Sequence, residues 1–192
     1  HLAAVHMTQL TPAEIALCAE RGVSVVHCPQ SNMKLASGFC PADALLKAGV
    51  NLAIGTDGCA SNNDLDMFDE LRTAALLAKA VAQDATAFKA FSALHSATLA
   101  GARAMGLEDR IGSLEAGKQA DIIAVDLSQL ETLPIYDVIS QLVYAGSRQQ
   151  VSDVWIAGRI KMQGRQLVDI DIQKVQATAR RWQHTIKRIQ SP

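Results

Sequence analysis

Short apolar runs without in-and-out alternation dominate the N-terminal part of the chain, and a titratable side chain follows each run. Strands that are buried on both faces, as in parallel sheets, have this uninterrupted pattern. The pattern therefore predicts three buried parallel strands. These strands, each with the side chain that follows it, are residues 2–5 before His6, 23–26 before His27, and 50–54 before Asp57.

Helical patterns separate the predicted strands. Thr11-Pro-Ala-Glu14 is a capping box with proline at the first helical position, so it predicts a helix, which Gly22 ends. A second helix is predicted near residues 41–48 and ends at Gly49. The two glycines are 27 residues apart (49 − 22), a spacing typical of successive β/α units in a barrel or a doubly wound sheet.

Polar segments follow the second and third strands. Residues 28–32 are predicted to form a loop. Residues 58–63 have two interpretations: a substrate-contacting loop in which Ser61 exchanges hydrogen bonds, or an N-cap for a helix starting near residue 64. Both can hold at once. Since reactive residues of such folds gather where the strands end, the three strand-end side chains are expected at one site.

The chain changes character near residue 110. Before it, amphipathic patterns predict helices; after it, turn glycines and short apolar runs predict β-rich structure and then a basic, amphipathic closing helix. The predicted helices are 64–81, 85–94, 96–105, 137–144 and 172–189, and the predicted strands are 120–125, 151–156 and 159–162.

Composition narrows the class of partner and the compartment. The net charge is −1 with scattered lysine and arginine, so neither nucleic acid nor a membrane surface is expected as an electrostatic partner. No apolar run approaches the roughly 20 residues of a bilayer span. Four cysteines without a C-x-x-C pair predict a reducing, cytoplasmic location. A start at His1 instead of Met is expected of a fragment or a processed chain.

His6, His27 and Asp57 admit a metal-dependent and a structural interpretation. Imidazole and carboxylate suit a divalent metal such as zinc, which lowers the pKa of bound water. A mononuclear site needs at least three protein ligands, so either further ligands come from elsewhere or the three side chains are hydrogen-bonded structural residues. Cys28 and Cys59 are candidate nucleophiles, although no sequence feature marks either thiol as activated. Signatures of serine hydrolases, P-loops, dinucleotide-binding folds and small zinc deaminases do not occur.

Three motifs carry a resemblance to a known family: HMTQLT from His6, HCPQSNMKL from His27 and GTDGCASNN from Gly55. With intervals of 21 residues (27 − 6) and 30 residues (57 − 27), the chain resembles the amidohydrolase superfamily. The nearest branch is that of 5-methylthioadenosine/S-adenosylhomocysteine deaminases and related chlorohydrolases. The tail, with the segment 112–117, resembles the family's return from its barrel to a small β-sandwich.

The resemblance implies an α/β fold, the C-terminal part of a (β/α)8 TIM-type barrel plus part of a small β-sandwich domain. It places barrel strands and helices in residues 1–110, a sandwich segment in residues 111–170 and a C-terminal helix in residues 171–192.

The resemblance also implies roles for individual residues. Asp57 matches the aspartate after the eighth strand, which binds the metal and takes a proton from the attacking water. His6 matches the histidine after the sixth strand, which stabilises charge in the transition state. His27, Ser61 and Asp57 would face the substrate. The implied cofactor is one divalent metal, Zn²⁺ foremost, whose hydroxide attacks the amino-bearing ring carbon of an aminopurine nucleoside such as 5-methylthioadenosine or S-adenosylhomocysteine.

The chain is shorter than the family pattern. The family's H-x-H after the first strand, its metal histidine after the fifth and the glutamate three residues later have no counterpart here. The expected partners are therefore a missing N-terminal part of the same enzyme, without which the chain would be inactive, an aminopurine substrate and, by analogy, a second copy in a homodimer. Two alternatives stay open: another amidohydrolase, such as a triazine chlorohydrolase or guanine-type deaminase, and a non-catalytic fragment or assembly module.

Overall fold

A computed structural model describes residues 2–190, which divide into two units. The first unit contains residues 2–119 and 126–150, and the second contains residues 120–125 and 151–190. The strands are β1 (Ala3–Val5), β2 (Ser24–His27), β3 (Asn51–Ile54), β4 (Ile122–Val125), β5 (Val151–Ile156), β6 (Arg159–Gln163) and β7 (Gln166–Leu167). The α-helices are α1 (Pro12–Glu20), α2 (Pro29–Lys34), α3 (Ala42–Lys47), α4 (Cys59–Asn62), α5 (Met67–Ala82), α6 (Ala90–Ser96), α7 (Leu99–Ala104), α8 (Val138–Tyr144) and α9 (Ile172–Gln190).

The first unit contains a three-stranded parallel sheet in the order β1-β2-β3, which confirms the predicted parallel pairing. Strands β2 and β3 are largely buried as predicted, but the prediction of burial is wrong for β1, an edge strand in which Ala3 and Val5 are exposed. Ala3 lies opposite Ser24, an offset of 21 residues (24 − 3) that equals the interval between His6 and His27. These two histidines therefore end their strands at the same level. Neighbouring parallel strands in chain order, joined by helices, fit the C-terminal part of a TIM-type barrel.

The helix signals in the sequence work locally as predicted. Glu14 N–H donates to Thr11 Oγ1 at 3.3 Å, and Thr11 N–H donates to Glu14 Oε2 at 2.7 Å, so both halves of the capping box are formed. Gly22 and Gly49 end α1 and α3 with φ values of 59° and 81°. Glycine adopts this left-handed conformation without the steric cost of a Cβ atom.

A continuous apolar core lies between the sheet and its helices. Val25 of β2 and Leu45 of α3 are fully buried, and Leu52 of β3 and Leu71 of α5 are nearly so. Each such side chain contributes about 1.5–3 kcal/mol when it leaves water. The core thereby fixes the strands whose ends carry the candidate chemistry.

The structure corrects two sequence expectations near the strand ends. Residues 28–32 do not form a loop: Pro29 occupies the first turn of α2, a position where its missing N–H costs nothing. The helix predicted from residue 64 begins later, at Met67, because the Asp66 carboxylate accepts from Phe68 N–H at 2.9 Å and caps it.

The second unit is built on an antiparallel sheet in the order β4-β5-β6-β7. Ala157 and Gly158 form the tight turn between β5 and β6 with φ values of 49° and 74°, as the predicted hairpin requires. The small β-sandwich and the domain boundaries expected from the resemblance stay predictions. Among residues 2–190, no helix combines the length and the apolarity that a membrane crossing needs.

Candidate active site

His6 directly follows β1 and Asp57 lies three residues beyond the end of β3; both adopt the left-handed backbone conformation, with φ values of 72° and 64°. For residues other than glycine this conformation costs on the order of 1–3 kcal/mol and concentrates at functional positions. Both side chains lie at the same end of the sheet, where Nε2 of His6 lies 3.8 Å from Oδ2 of Asp57.

Four polar groups surround the Asp57 carboxylate. Ser31 Oγ and Ser61 Oγ both donate to Oδ2, at 2.6 and 2.8 Å, and Gly58 N–H donates to Oδ1 at 2.7 Å. These hydrogen bonds, that from Ser31 first, lower the pKa of Asp57 to about 2, with the His6 imidazole adding a smaller effect. The carboxylate is therefore ionised at any pH near neutrality and available to a cation or a proton.

Asn32 orients the His6 ring from the side opposite Asp57. Its side chain is 1% exposed, and its Oδ1 lies 2.8 Å from His6 Nδ1. An amide oxygen only accepts hydrogen bonds, so Nδ1 carries the hydrogen in neutral His6. The lone pair of Nε2 then faces Asp57, where it can accept a proton or interact with a cation.

His27 ends β2 at the level of His6 but is only 1% exposed. Burial, with a smaller contribution from the His6 charge, lowers the pKa of His27 to about 4, so its ring is neutral near pH 7. Its Nδ1 has no hydrogen-bond partner within the described chain. The structure thus brings His6, Asp57 and Ser61 together and buries His27; a substrate-contacting role for His27 stays a prediction.

The N-cap interpretation of the segment after Asp57 is wrong, and its substrate-contacting interpretation stays a prediction. Its residues form α4, from which Ser61 donates to Asp57. Asn62 Oδ1 accepts from the N–H groups of Asp64 and Leu65 at 3.0 and 2.8 Å and so shapes the turn before α5. The actual N-cap of α5 is a different residue, Asp66.

The structure removes Cys28 as a candidate nucleophile. Its thiol is 1% exposed, and burial, with the charges of Asp57 and Glu70, raises its pKa to about 12. Only a thiolate attacks efficiently, and this thiol stays protonated. Cys59 is exposed in α4.

A group of acidic side chains before α5 has a structural explanation. Asp64, Asp66 and Asp69 hold carboxylate oxygens within 4.8 Å of one another. Arg148 contacts Asp64 at 2.7 Å and Asp66 at 3.5 Å, and Asp66 caps the helix. The positive charge and the helix N-terminus offset the repulsion within this group.

Sequence reasoning assigned no role to Ser31, Asn32 or Glu70. The first two lie in the motif that begins at His27, so a cluster of polar residues directly after a buried strand was the available signal. Glu70 shares a helical face with the buried alanines at positions 74 and 78, and a carboxylate in an apolar stripe is the sign that could have marked it.

Comparison with known proteins identifies a family that matches most of the chain. The profile of the Amidohydrolase family matches residues 1–161. A 5-methylthioadenosine/S-adenosylhomocysteine deaminase of Teredinibacter turnerae is 52% identical over 182 residues, which are 95% of this chain and 41% of that protein.

Two zinc-containing crystal structures are similar in fold. An adenosine deaminase from Xanthomonas campestris with bound zinc has a TM-score of 0.96 and 68% identity, over 97% of this chain and 42% of its own. An atrazine chlorohydrolase from Arthrobacter aurescens has a TM-score of 0.84 and 27% identity, over 92% of this chain and 39% of its own. The chain thus spans about two fifths of the length of these relatives.

Proposed function

This chain belongs to the amidohydrolase family, and on that premise we propose that it is the C-terminal part of a metal-dependent deaminase. The proposed substrate is an aminopurine nucleoside such as 5-methylthioadenosine or S-adenosylhomocysteine. The observation that carries the proposal is the strained His6–Asp57 pair, in which an ionised carboxylate and an oriented imidazole nitrogen face each other at the ends of parallel strands.

The donor chemistry of this pair fits a divalent metal. Asp57 is ionised and accepts one hydrogen bond at Oδ1, from Gly58 N–H, so that oxygen keeps a lone pair. Asp57 would hold the ion, Zn²⁺ foremost, and His6 would stand beside it. When bound, such an ion supplies Lewis acidity that makes water nucleophilic near neutral pH. The remaining ligands would come from a preceding part of the enzyme.

In the proposed reaction, the oxygen of water bonds to the ring carbon that bears the amino group. The bond from that carbon to nitrogen breaks, nitrogen leaves as ammonia, and the ring keeps a carbonyl oxygen. Asp57 would accept a proton from the attacking water, and His6, when Nε2 is protonated, would donate to the oxygen and stabilise the charge that develops there. Ser61 and His27 would contact the substrate, Ser61 from α4, where it also donates to Asp57.

The identity of the substrate is proposed from relatives. The T. turnerae protein is named for 5-methylthioadenosine and S-adenosylhomocysteine, and the X. campestris protein for adenosine. All three molecules carry the same aminopurine ring and differ at the ribose 5′ position. The ring is therefore the common feature that the site would recognise.

The active protein is proposed to be larger than this chain. Its relatives are more than twice as long, so a preceding N-terminal part would complete the barrel and the metal site. A homodimer and a cytoplasmic location are further parts of the proposal; four free cysteines support a reducing compartment. Size-exclusion chromatography with light scattering tests the dimer.

The test uses the full-length protein and measures ammonia release from 5-methylthioadenosine, S-adenosylhomocysteine and adenosine. Asp57→Asn is expected to lower kcat by at least about 100-fold, because the amide cannot take a proton at neutral pH. Asp126→Asn, which changes an exposed carboxylate of a surface turn, is the matched control. Unchanged turnover in Asp57→Asn would contradict the assigned role.

Two other functions remain as outcomes of the same experiment. Similarity to the atrazine chlorohydrolase favours adding a triazine and guanine to the panel, and preferential turnover of either would replace the nucleoside proposal. A folded full-length protein without stoichiometric zinc and without turnover of any substrate would indicate a non-catalytic assembly module. Metal content by mass spectrometry separates this outcome from a catalyst.

A further inference from the structure

Glu70 lies in the first turns of α5 and is completely buried. A carboxylate in this position loses its hydration and needs compensation from hydrogen bonds. Burial raises the pKa of Glu70 to about 7, against the opposing effect of its hydrogen bonds. A carboxylate buried at such a cost calls for an explanation beyond packing.

Both hydrogen-bond partners of Glu70 come from segments that reach Asp57. Gln30 N–H donates to Glu70 Oε2 at 3.3 Å, and Asn62 Nδ2 donates to Oε1. Asn62 cannot reverse its amide at low cost, because its oxygen already accepts from two backbone N–H groups. Two donors that point at the two carboxylate oxygens match the ionised form of Glu70.

Each partner is the immediate neighbour of a serine. Gln30 precedes Ser31, and Asn62 follows Ser61. Ser31 is fully buried, and the two hydroxyl groups meet at a single atom, Oδ2 of Asp57. The carboxylates of Glu70 and Asp57 therefore each accept hydrogen bonds from the same two segments, the start of α2 and α4.

We propose that Glu70 is a positioning residue for Asp57: it joins the start of α2 to α4, so that both serine hydroxyls reach Oδ2 together. The proposal rests on the proposed function of Asp57. Oδ2 is then occupied by the protein itself, and Oδ1 remains the oxygen that can meet a metal ion or a proton. Loss of the tie would let the two segments separate and would leave Asp57 without a fixed orientation.

The main variant is Glu70→Gln in the full-length zinc-loaded protein. Glutamine keeps the shape of the side chain but presents its NH₂ group to one of the two donors, Gln30 N–H or Asn62 Nδ2, so one of the two hydrogen bonds is lost. Zinc affinity, measured by competition with a chromophoric chelator, is expected to fall about 10-fold or more, and kcat likewise, with KM changed less than about twofold. Asp69→Asn, an adjacent and partly exposed carboxylate on the same helix, is the control and is expected to change neither quantity.

A mutant cycle separates positioning from general destabilisation. In a Ser31→Ala/Ser61→Ala background, Glu70→Gln is expected to cost less than about twofold further in zinc affinity, because the path through the serines is already absent. Equal costs in the two backgrounds would overturn the proposal.

If Glu70→Gln does not fold, Asn62→Asp tests the same contact between Asn62 and Glu70. This variant keeps the accepting oxygen of residue 62 and replaces the donor to Glu70 with a like charge. Unchanged zinc affinity in Asn62→Asp would also overturn the proposal.

The cycle also distinguishes the two proposals. A wild-type protein that binds zinc but deaminates none of the nucleosides would refute the proposed function, while non-additive zinc affinities would still support the role of Glu70. An active deaminase with additive effects would refute the role of Glu70 alone.

Discussion

Replacing His27 with asparagine tests the burial of a histidine at the end of β2. The ring is 1% exposed, and its pKa falls from 6.5 to about 4, chiefly because burial disfavours the charged form. Between pH 6.5 and about 4, His27 therefore binds a proton in the unfolded chain but stays neutral in the folded chain. At about 1.4 kcal/mol per pKa unit, the difference amounts to about 3 kcal/mol once the pH has fallen to 4.

The sign of this contribution follows from the direction of the shift. With a lowered pKa in the folded state, the stability is fully present above pH 6.5 and is lost as the pH falls toward 4. At pH 5 the expected loss relative to pH 8 is about 2 kcal/mol. Glu70 acts in the opposite sense: its raised pKa stabilises the fold at low pH, and this contribution is lost as the pH rises through about 7. The wild-type slope alone would therefore mix two effects.

The assay compares slopes between the full-length wild type and His27→Asn by urea unfolding from pH 8 to pH 5. The substitution has its own cost, which does not depend on pH, so only the change in the difference between the two proteins reports the titration. His184→Asn is the matched control, because it removes an exposed imidazole on α9. Carbon-13 NMR of labelled histidine measures the midpoint directly.

Two results would refute the reasoning. A constant difference in unfolding free energy from pH 8 to pH 5 would mean that His27 titrates alike in both states. An NMR midpoint near 6.5 would show that the ring is hydrated and charged in the folded protein. The second result would also agree with a ring that is open to substrate.

Further predictions concern the Asp57 carboxylate and the backbone. Ser31→Ala is expected to raise the pKa of Asp57 from about 2 toward 3.8, because it removes the hydrogen bond that lowers this pKa most. The carbon-13 shift of the Asp57 carboxyl carbon measures the pKa, and an unchanged titration midpoint would contradict the prediction. Gly49→Ala is expected to destabilise by about 1 kcal/mol, because the residue has φ 81° with open space around it. Gly101→Ala, within α7, is the opposite case and is expected to stabilise by about 0.5–1 kcal/mol, so thermal shifts of equal sign would refute the pair.

Much of the local structure is encoded in short stretches of sequence. The capping box at Thr11 and the left-handed glycines at positions 22 and 49 act within a few residues, so the limits of α1 and α3 were predictable. Uninterrupted apolar runs indicated β1, β2 and β3, since strands of parallel sheets carry such runs. Burial followed for β2 and β3 but not for the exposed edge strand β1. The motifs at His6 and Asp57 were sufficient for the family, which the profile over residues 1–161 confirms.

The interactions that give the site its chemistry depend on tertiary structure. Ser31 meets Asp57 across 26 positions, and Gln30 meets Glu70 across 40. Such contacts require the register of the parallel strands, the left-handed turn at Asp57 and the beginning of α2 at Pro29, and the polar composition of residues 28–32 suggested a loop instead. The burial of His27 is likewise a property of the packed sheet and helices.

The sequence by itself determined which residue types stand at the strand ends, because hydrophobic periodicity and capping are local signals. Tertiary structure decided the protonation and orientation of those residues. Hydration, hydrogen bonding and charge set a pKa, and each depends on what packs around the group. Asp57 and Glu70 illustrate the point: one carboxyl group is held ionised by two serines, and the other is pushed toward neutrality by burial.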